Sequence, residues 1–353
     1  MTTREIAVIG DRFMQPEAFA TALKPVLGDG WRLRTLELPW PDEPMHHGYA
    51  QDGKPLAPGL EGLREYMGEP DAIADFIGGA EVLVDHLAPV TGPMLDRLRG
   101  LKLIAVSRGG PVNIDMKAAR EHGVRVVNTP GRNASAVAEF TIGAILAETR
   151  LIRAGHEGLR QGIWRGDLYR ADLTGTELSE LTVGLIGYGH IGTKVVKLLK
   201  PFGCRILVDD PYRELSPEDV ADGVEQVDLD TLLARSDVVS LHARVTEETK
   251  GFLAAPQFAR MKPGAYFINT ARGPMVNYDD LYVALKSGHV RGAMLETFWQ
   301  EPPPPEAPLL RLPNVTLTPH IAGASTTTVR IAARMAAEEV RRWLAGEPPL
   351  NPC

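Results

Sequence analysis

Three side chains that could share one reaction stand in three short segments of the C-terminal half. Arg272 lies in Asn269-Thr270-Ala271-Arg272-Gly273, Glu301 in Phe298-Trp299-Gln300-Glu301-Pro302, and His320 in Thr318-Pro319-His320-Ile321-Ala322-Gly323. Each segment follows an apolar run that reads as a strand. Arginine offers a planar fork that grips a carboxylate at two points. Histidine titrates near neutral pH and can protonate a carbonyl oxygen, and a neighbouring carboxylate favours its charged form. Together the three could orient a 2-oxo acid and protonate its carbonyl while a nicotinamide supplies hydride. Taken singly they read more plainly, as a loop cation, a surface acid and a capping or core histidine. The order of all three on successive strand ends is what points to chemistry.

A second motif supplies the nicotinamide. Val183-Gly184-Leu185-Ile186 runs into Gly187-Tyr188-Gly189-His190-Ile191-Gly192, a strand entering G-x-G-x-x-G with a helical pattern behind it. Gly187 permits the tight turn, Gly189 lets a pyrophosphate approach the backbone, and Gly192 lets helix and strand pack closely. The helix start presents free N–H groups to the phosphates. A second strand ends at Asp209-Asp210-Pro211, which places Asp210 18 residues beyond Gly192. That is where a carboxylate accepts from both ribose hydroxyls and repels a 2′-phosphate, favouring NAD over NADP. Asp209 is the alternative; Asp210 is preferred because it sits at the strand end before Pro211.

These groups need strands whose carboxyl ends converge, and the chain supplies them. Strands are expected at 6–9, 33–38, 82–84, 103–106, 124–127, 183–186, 206–208, 238–241, 266–268, 292–295 and 315–317. Helices are expected between most of them, for example 16–27, 135–149 and 190–199, with a last helix at about 324–344. This alternation implies an α/β fold with parallel sheets. The stretch 39–70 is rich in proline and glycine and weakly periodic, so it reads as an irregular insertion. At 353 residues the chain suits two domains. Its 44% apolar and 24% charged residues suit real cores. A net charge of -7 gives no support for nucleic-acid or anionic-membrane partners. Two cysteines, Cys204 and Cys353, make neither a disulfide framework nor a metal site. With no secretory pattern at the start and no 18-residue apolar run, the cytoplasm is the expected location.

These segments resemble the D-isomer-specific 2-hydroxyacid dehydrogenases, a family that also holds phosphite dehydrogenase, formate dehydrogenase and a transcriptional corepressor. The resemblance runs from Glu81-Val82-Leu83-Val84 through Asn128-Thr129-Pro130-Gly131-Arg132-Asn133 to Ala322-Gly323, and is closest at Met261-Lys262-Pro263-Gly264-Ala265. It implies two Rossmann-like domains with parallel sheets and a cleft between them. The substrate domain is discontinuous, 1–132 plus 324–353, and the dinucleotide-binding domain covers 133–323. Arg272 is the implied substrate-binding arginine, His320 the acid/base and Glu301 its carboxylate partner. Glu301 also counts against formate dehydrogenase, where glutamine stands. NAD is the implied cofactor, held by the turn from Gly187 to Gly192 with Tyr188, His190 and Ile191, by Asp210, and by His242, Thr270, Ala271, Glu296 and Gly323. The N–H groups of Gly109 and Gly110 are implied to hold the substrate carboxylate. No metal is implied. A homodimer is, with 149–171 and Trp164 at the contact.

Departures from the family pattern narrow the reading. Glu296 replaces the usual aspartate beside the nicotinamide, and Arg244 replaces a proline on the adenosine side, where solvation is expected. Asp85 stands where phosphoglycerate-type members carry an arginine, and a carboxylate there repels phosphate. The sequence also ends at Cys353 with no regulatory domain after the last helix. Phosphoglycerate is therefore disfavoured. Arg108, with His86 nearby, is the expected specificity shell for a small polar 2-oxo acid, unless Arg108 is solvated or paired with Asp85. The rival readings are a non-catalytic, NAD-sensing protein of the corepressor type and phosphite oxidation.

Overall fold

Short apolar runs build inner strands that are covered on both faces, the arrangement parallel sheets require, while the edge strands are partly exposed. The computed structural model describes residues 4–39 and 59–353, so most of the proline-rich stretch at 39–70 lies outside the described residues. The chain divides into two compact units, Met1–Asn133 with Ala324–Cys353, and Ala134–Gly323.

The first unit holds β1 (Arg4–Gly10), β2 (Trp31–Glu37), β3 (Val82–Asp85), β4 (Leu103–Val106) and β5 (Arg125–Val127), parallel and ordered β2-β1-β3-β4-β5. Side chains alternate across it. Ile6 and Val8 pack with Phe19, Ala332, Ala336 and Val340 from the helices Pro16–Leu23 and Thr326–Leu344. Ala7 and Ile9 pack with Ile73, Ile77, Met94 and Leu95 from Pro70–Ile77 and Gly92–Arg97. The helix Thr326–Leu344 starts where Ser325 Oγ accepts from the Thr328 N–H at 3.0 Å, and its alanines let its backbone lie close to the sheet.

The second unit holds β6 (Thr182–Ile186), β7 (Arg205–Asp209), β8 (Glu225–Gln226), β9 (Val238–Leu241), β10 (Ala265–Asn269), β11 (Val290–Leu295) and β12 (Val315–Leu317). They are parallel and ordered β12-β11-β10-β9-β6-β7-β8. Val183, Leu185 and Ile268 face the helices Ala134–Thr149 and Gly192–Leu199, while Ile186, Leu241 and Phe267 face Phe258 and Leu281 on the other side. In both sheets the order reverses beside the first strand, between β1 and β3 and between β6 and β9, and in open parallel sheets the carboxyl ends at such a reversal are where ligands bind.

All eleven expected strands are present. β8 is an addition, two exposed residues at the sheet edge with no apolar signal. Pro25 cuts the first helix short, and a 3₁₀ turn, Lys24–Val26, follows it. The helix expected from 190 starts at Gly192, because the residues before it form the glycine turn. No helix among the described residues is long and apolar enough to cross a membrane.

Candidate active site

The glycine turn lies at the exit of β6. Gly187 has φ 104°, and a Cβ there would come within 2.8 Å of the Ala243 nitrogen. A Cβ on Gly192 would sit 2.2 Å from the Gly187 carbonyl oxygen, so the helix start presses directly on the turn. Gly189 differs: its Cβ would meet no heavy atom of the chain within 4 Å, leaving open space over the backbone. Asp210 braces the turn, with Oδ2 accepting from the Tyr188 N–H at 2.7 Å and Oδ1 from the Tyr212 N–H at 2.9 Å. Burial, with Asp210 and Asp228 adding repulsion, raises Asp209 to about 6. The Tyr188 ring is buried and its hydroxyl bonds Asp219, so only its backbone is available at the turn. His190 is exposed. His242 at the exit of β9 is buried, pushed down to about 3 by that burial, and bonded by Ser240 at 2.9 Å; its Nδ1 has no hydrogen-bond partner. Arg244 is exposed, in line with a solvated role. An open glycine backbone, a helix start, an acid at the second strand end and an orphaned imidazole nitrogen suit a dinucleotide.

The exits of β10, β11 and β12 are knitted together. Glu296 N–H donates to the Asn269 carbonyl at 3.0 Å, Thr318 N–H to Leu295 at 3.1 Å, and His320 N–H to Glu296 at 3.0 Å. His320 has φ 53°, a left-handed position uncommon outside glycine. Its Nδ1 lies 2.7 Å from Glu301 Oε2, while Glu301 Oε1 accepts from the Phe298 N–H at 2.9 Å. Both side chains are mostly buried. Arg272 is exposed, and its Nη1 donates to the Ala271 carbonyl at 2.8 Å. The structure thus pairs Glu301 with His320 and sets Arg272 on the adjoining strand exit. Gly273 behind Arg272 packs against the Phe298 carbonyl too closely for any side chain. Thr270 is buried, its hydroxyl 2.9 Å from that of Thr141 on the helix Ala134–Thr149. The same helix reaches β12 through a hydrogen bond between Glu148 and Thr316. Glu296 is buried and raised to about 7, and its Oε1 accepts from the Ala322 N–H at 2.9 Å, beside Gly323.

In the first unit, Arg108 is neither solvated nor paired with Asp85. It forms an ion pair with Glu65 and donates to the Glu65 carbonyl at 3.2 Å. Backbone carbonyls of this loop also accept hydrogen bonds: that of Arg108 from the Thr129 N–H, that of Gly109 from the Asn128 amide. Gly109 and Gly110 have open space where a Cβ would stand. Asp85 corrects the charge argument made from sequence. It is buried, burial raises it to about 8, and its oxygens accept from the Ala88 N–H and the Asn113 amide. At neutral pH it is largely uncharged, so what the position lacks is a cation rather than what it adds as an anion. His86 is buried with Nδ1 2.5 Å from Asp11 Oδ2, at the point where the strand order reverses, and its Nε2 lies 3.5 Å from Arg132. Burial pushes the His86 imidazole down. Burial also acts to raise Asp11, but the His86 contact and two backbone N–H groups hold it below its usual range. A neutral imidazole donating from Nδ1 accounts for both. Asp11 and Glu65 escaped the sequence reading. Asp11 had one available signal, its place directly after a strand.

The described residues hold no group of three or more His, Cys, Asp and Glu able to bind a metal. Residues 142–322 match the model of the D-isomer specific 2-hydroxyacid dehydrogenase NAD binding domain. The chain is 42% identical over 260 residues to a glyoxylate reductase of Thermofilum pendens, covering 74% of this chain and 77% of that one. It is 41% identical over 270 residues to a hydroxypyruvate reductase of Thermotoga maritima, covering 76% and 85%. Among solved structures, a D-2-hydroxyisocaproate dehydrogenase superposes with a TM-score of 0.81 at 25% identity, covering 99% of each chain.

Proposed function

The chain belongs to the D-isomer-specific 2-hydroxyacid dehydrogenases, and we propose from that premise that Arg272, Glu301 and His320 form its reaction centre. It is an NAD-dependent oxidoreductase acting on the CH–OH group of 2-hydroxy acids and, in reverse, on 2-oxo acids. The single observation that carries the site assignment is the 2.7 Å contact between His320 and Glu301 at neighbouring strand exits. When bound, NADH supplies hydride to the carbonyl carbon. Arg272 orients the substrate carboxylate and polarises the carbonyl, His320 delivers the proton to the carbonyl oxygen, and Glu301 holds the imidazole by its other nitrogen. The turn from Gly187 to Gly192 with Asp210, His242, Thr270, Ala271, Glu296 and Gly323 holds the dinucleotide in the second unit. The first unit serves the substrate through Gly109, Gly110, Arg108 and His86.

The substrate is a small polar 2-oxo acid of the glyoxylate or hydroxypyruvate kind, which the names of the similar reductases support. Phosphoglycerate is disfavoured, because a buried, largely neutral Asp85 offers a phosphate no cation. A homodimer is supported by one exposed apolar stretch: Ile152, Leu159, Ile163, Trp164 and Tyr169, the last two 83% and 94% exposed. We place the enzyme in the cytoplasm. The test is turnover of a 2-oxo acid panel, and of phosphite with NAD, using NADH and NADPH in parallel. NADH oxidation with a small 2-oxo acid is expected, and His320→Asn should lower kcat by roughly a thousandfold. NAD binding with no turnover, or a His320→Asn variant as active as the parent, would sink the reading.

A further inference from the structure

A tyrosine whose hydroxyl bonds Asn269 and the Thr297 carbonyl is wired through them to Glu301 and His320. Tyr278 opens the helix Tyr278–Lys286 and is buried. Its hydroxyl accepts from the Asn269 side-chain amide at 3.2 Å, which commits its own proton to the Thr297 carbonyl at 2.5 Å. That carbonyl shares one peptide bond with the Phe298 N–H, and the Phe298 N–H donates to Glu301 Oε1 at 2.9 Å. Glu301 Oε2 then meets His320 Nδ1. A donor on a peptide carbonyl polarises the N–H across the bond, so each link of such a chain strengthens the next by roughly 10–30%. At its other end, Asn269 Oδ1 accepts from the Ala271 N–H at 3.0 Å, one residue before Arg272. The Tyr278 ring is fixed in turn, its centroid 5.0 Å from Trp299 and 6.4 Å from Phe298. Burial and the nearby Glu301 push the hydroxyl well above its ordinary range, so it acts as a neutral donor.

We infer that Tyr278 is a positioning residue: through the Thr297–Phe298 peptide it fixes the carboxylate of Glu301 against His320, and through Asn269 it ties that pair to the turn carrying Arg272. The inference rests on the reaction centre proposed above. Glu301 and Glu296 both act on the imidazole, and Tyr278 lies close enough to Glu301 from the helix Tyr278–Lys286 to feel its charge. Loss of the hydroxyl weakens the Phe298 donor and frees the carboxylate to turn, so the imidazole loses its partner's fixed orientation.

The test is Tyr278→Phe, which removes one oxygen and keeps the ring. Reduction of the best 2-oxo acid should lose roughly three- to tenfold in kcat, the worth of one hydrogen bond. KM for NADH should hold, the alkaline limb of the kcat profile should move to lower pH, and the Phe298 amide proton should move upfield by NMR. A variant with a lower Tm but unchanged kcat, pH profile and Phe298 amide would make the tyrosine a packing residue only and overturn the inference. If the parent enzyme reduces no 2-oxo acid, the reaction-centre reading fails by itself, and the Phe298 amide comparison still decides the wiring. Should Tyr278→Phe not fold, amide exchange on the parent protein decides it: a rapidly exchanging Phe298 amide overturns the chain of bonds.

Discussion

At Glu301 the two carboxylate oxygens have separate tasks, one held by a backbone N–H and one by the imidazole. Glu301→Gln keeps the shape but removes the charge and one acceptor. It should lower kcat by roughly a hundredfold while leaving NADH affinity within twofold, read by steady-state kinetics and titration of the dinucleotide. Asp85 makes a prediction about stability. Its ordinary value is 3.8 and its folded value about 8, so between those limits the folded chain keeps a proton that the unfolded chain has released. Stability should therefore fall as pH rises from about 4 to about 8, by up to about 1.4 kcal/mol per unit, with the loss complete above the folded value. Asp85→Asn should flatten that slope in chemical denaturation, whatever it does to absolute stability; an unchanged slope would show that Asp85 stays charged. The sequence made Arg272, Glu301 and His320 legible because each stands in a short motif directly after a strand. It hid Asp11, Glu65 and Tyr278, whose partners are 75, 43 and 19 residues distant. Only the tertiary fold brings such pairs together.

The elements divide along similar lines. Strands buried on both faces wrote themselves as apolar runs, and β8 did not, since an exposed Glu-Gln pair on an edge carries no pattern. The glycine turn separates binding from folding in a way that can be measured. Gly189→Val should leave Tm nearly unchanged, because the added atoms start in open space, yet weaken NAD binding at least tenfold by crowding the phosphates. Gly192→Ala should cost roughly 2 kcal/mol or more of stability, because its methyl would start 2.2 Å from the Gly187 carbonyl oxygen. Thermal denaturation and calorimetric titration of both variants check the contrast, and equal behaviour would refute it.

For the molecule as a whole, the exposed run through Trp164 and Tyr169 predicts association. Trp164→Asp should convert a dimer to a monomer in sedimentation at micromolar concentration; a parent that is itself monomeric would remove the proposal. The division of the chain has a further consequence, in the order of events during synthesis. The unit Ala134–Gly323 is continuous and can close as soon as it leaves the ribosome, whereas the first unit needs both chain ends. Until Ala332, Ala336 and Val340 emerge, the face of the first sheet bearing Ile6, Val8 and Leu103 has only the helix Pro16–Leu23 as cover. A chain truncated and released at residue 323 should therefore carry one finished globule and one sticky, half-covered sheet, and would be the species a chaperone holds longest.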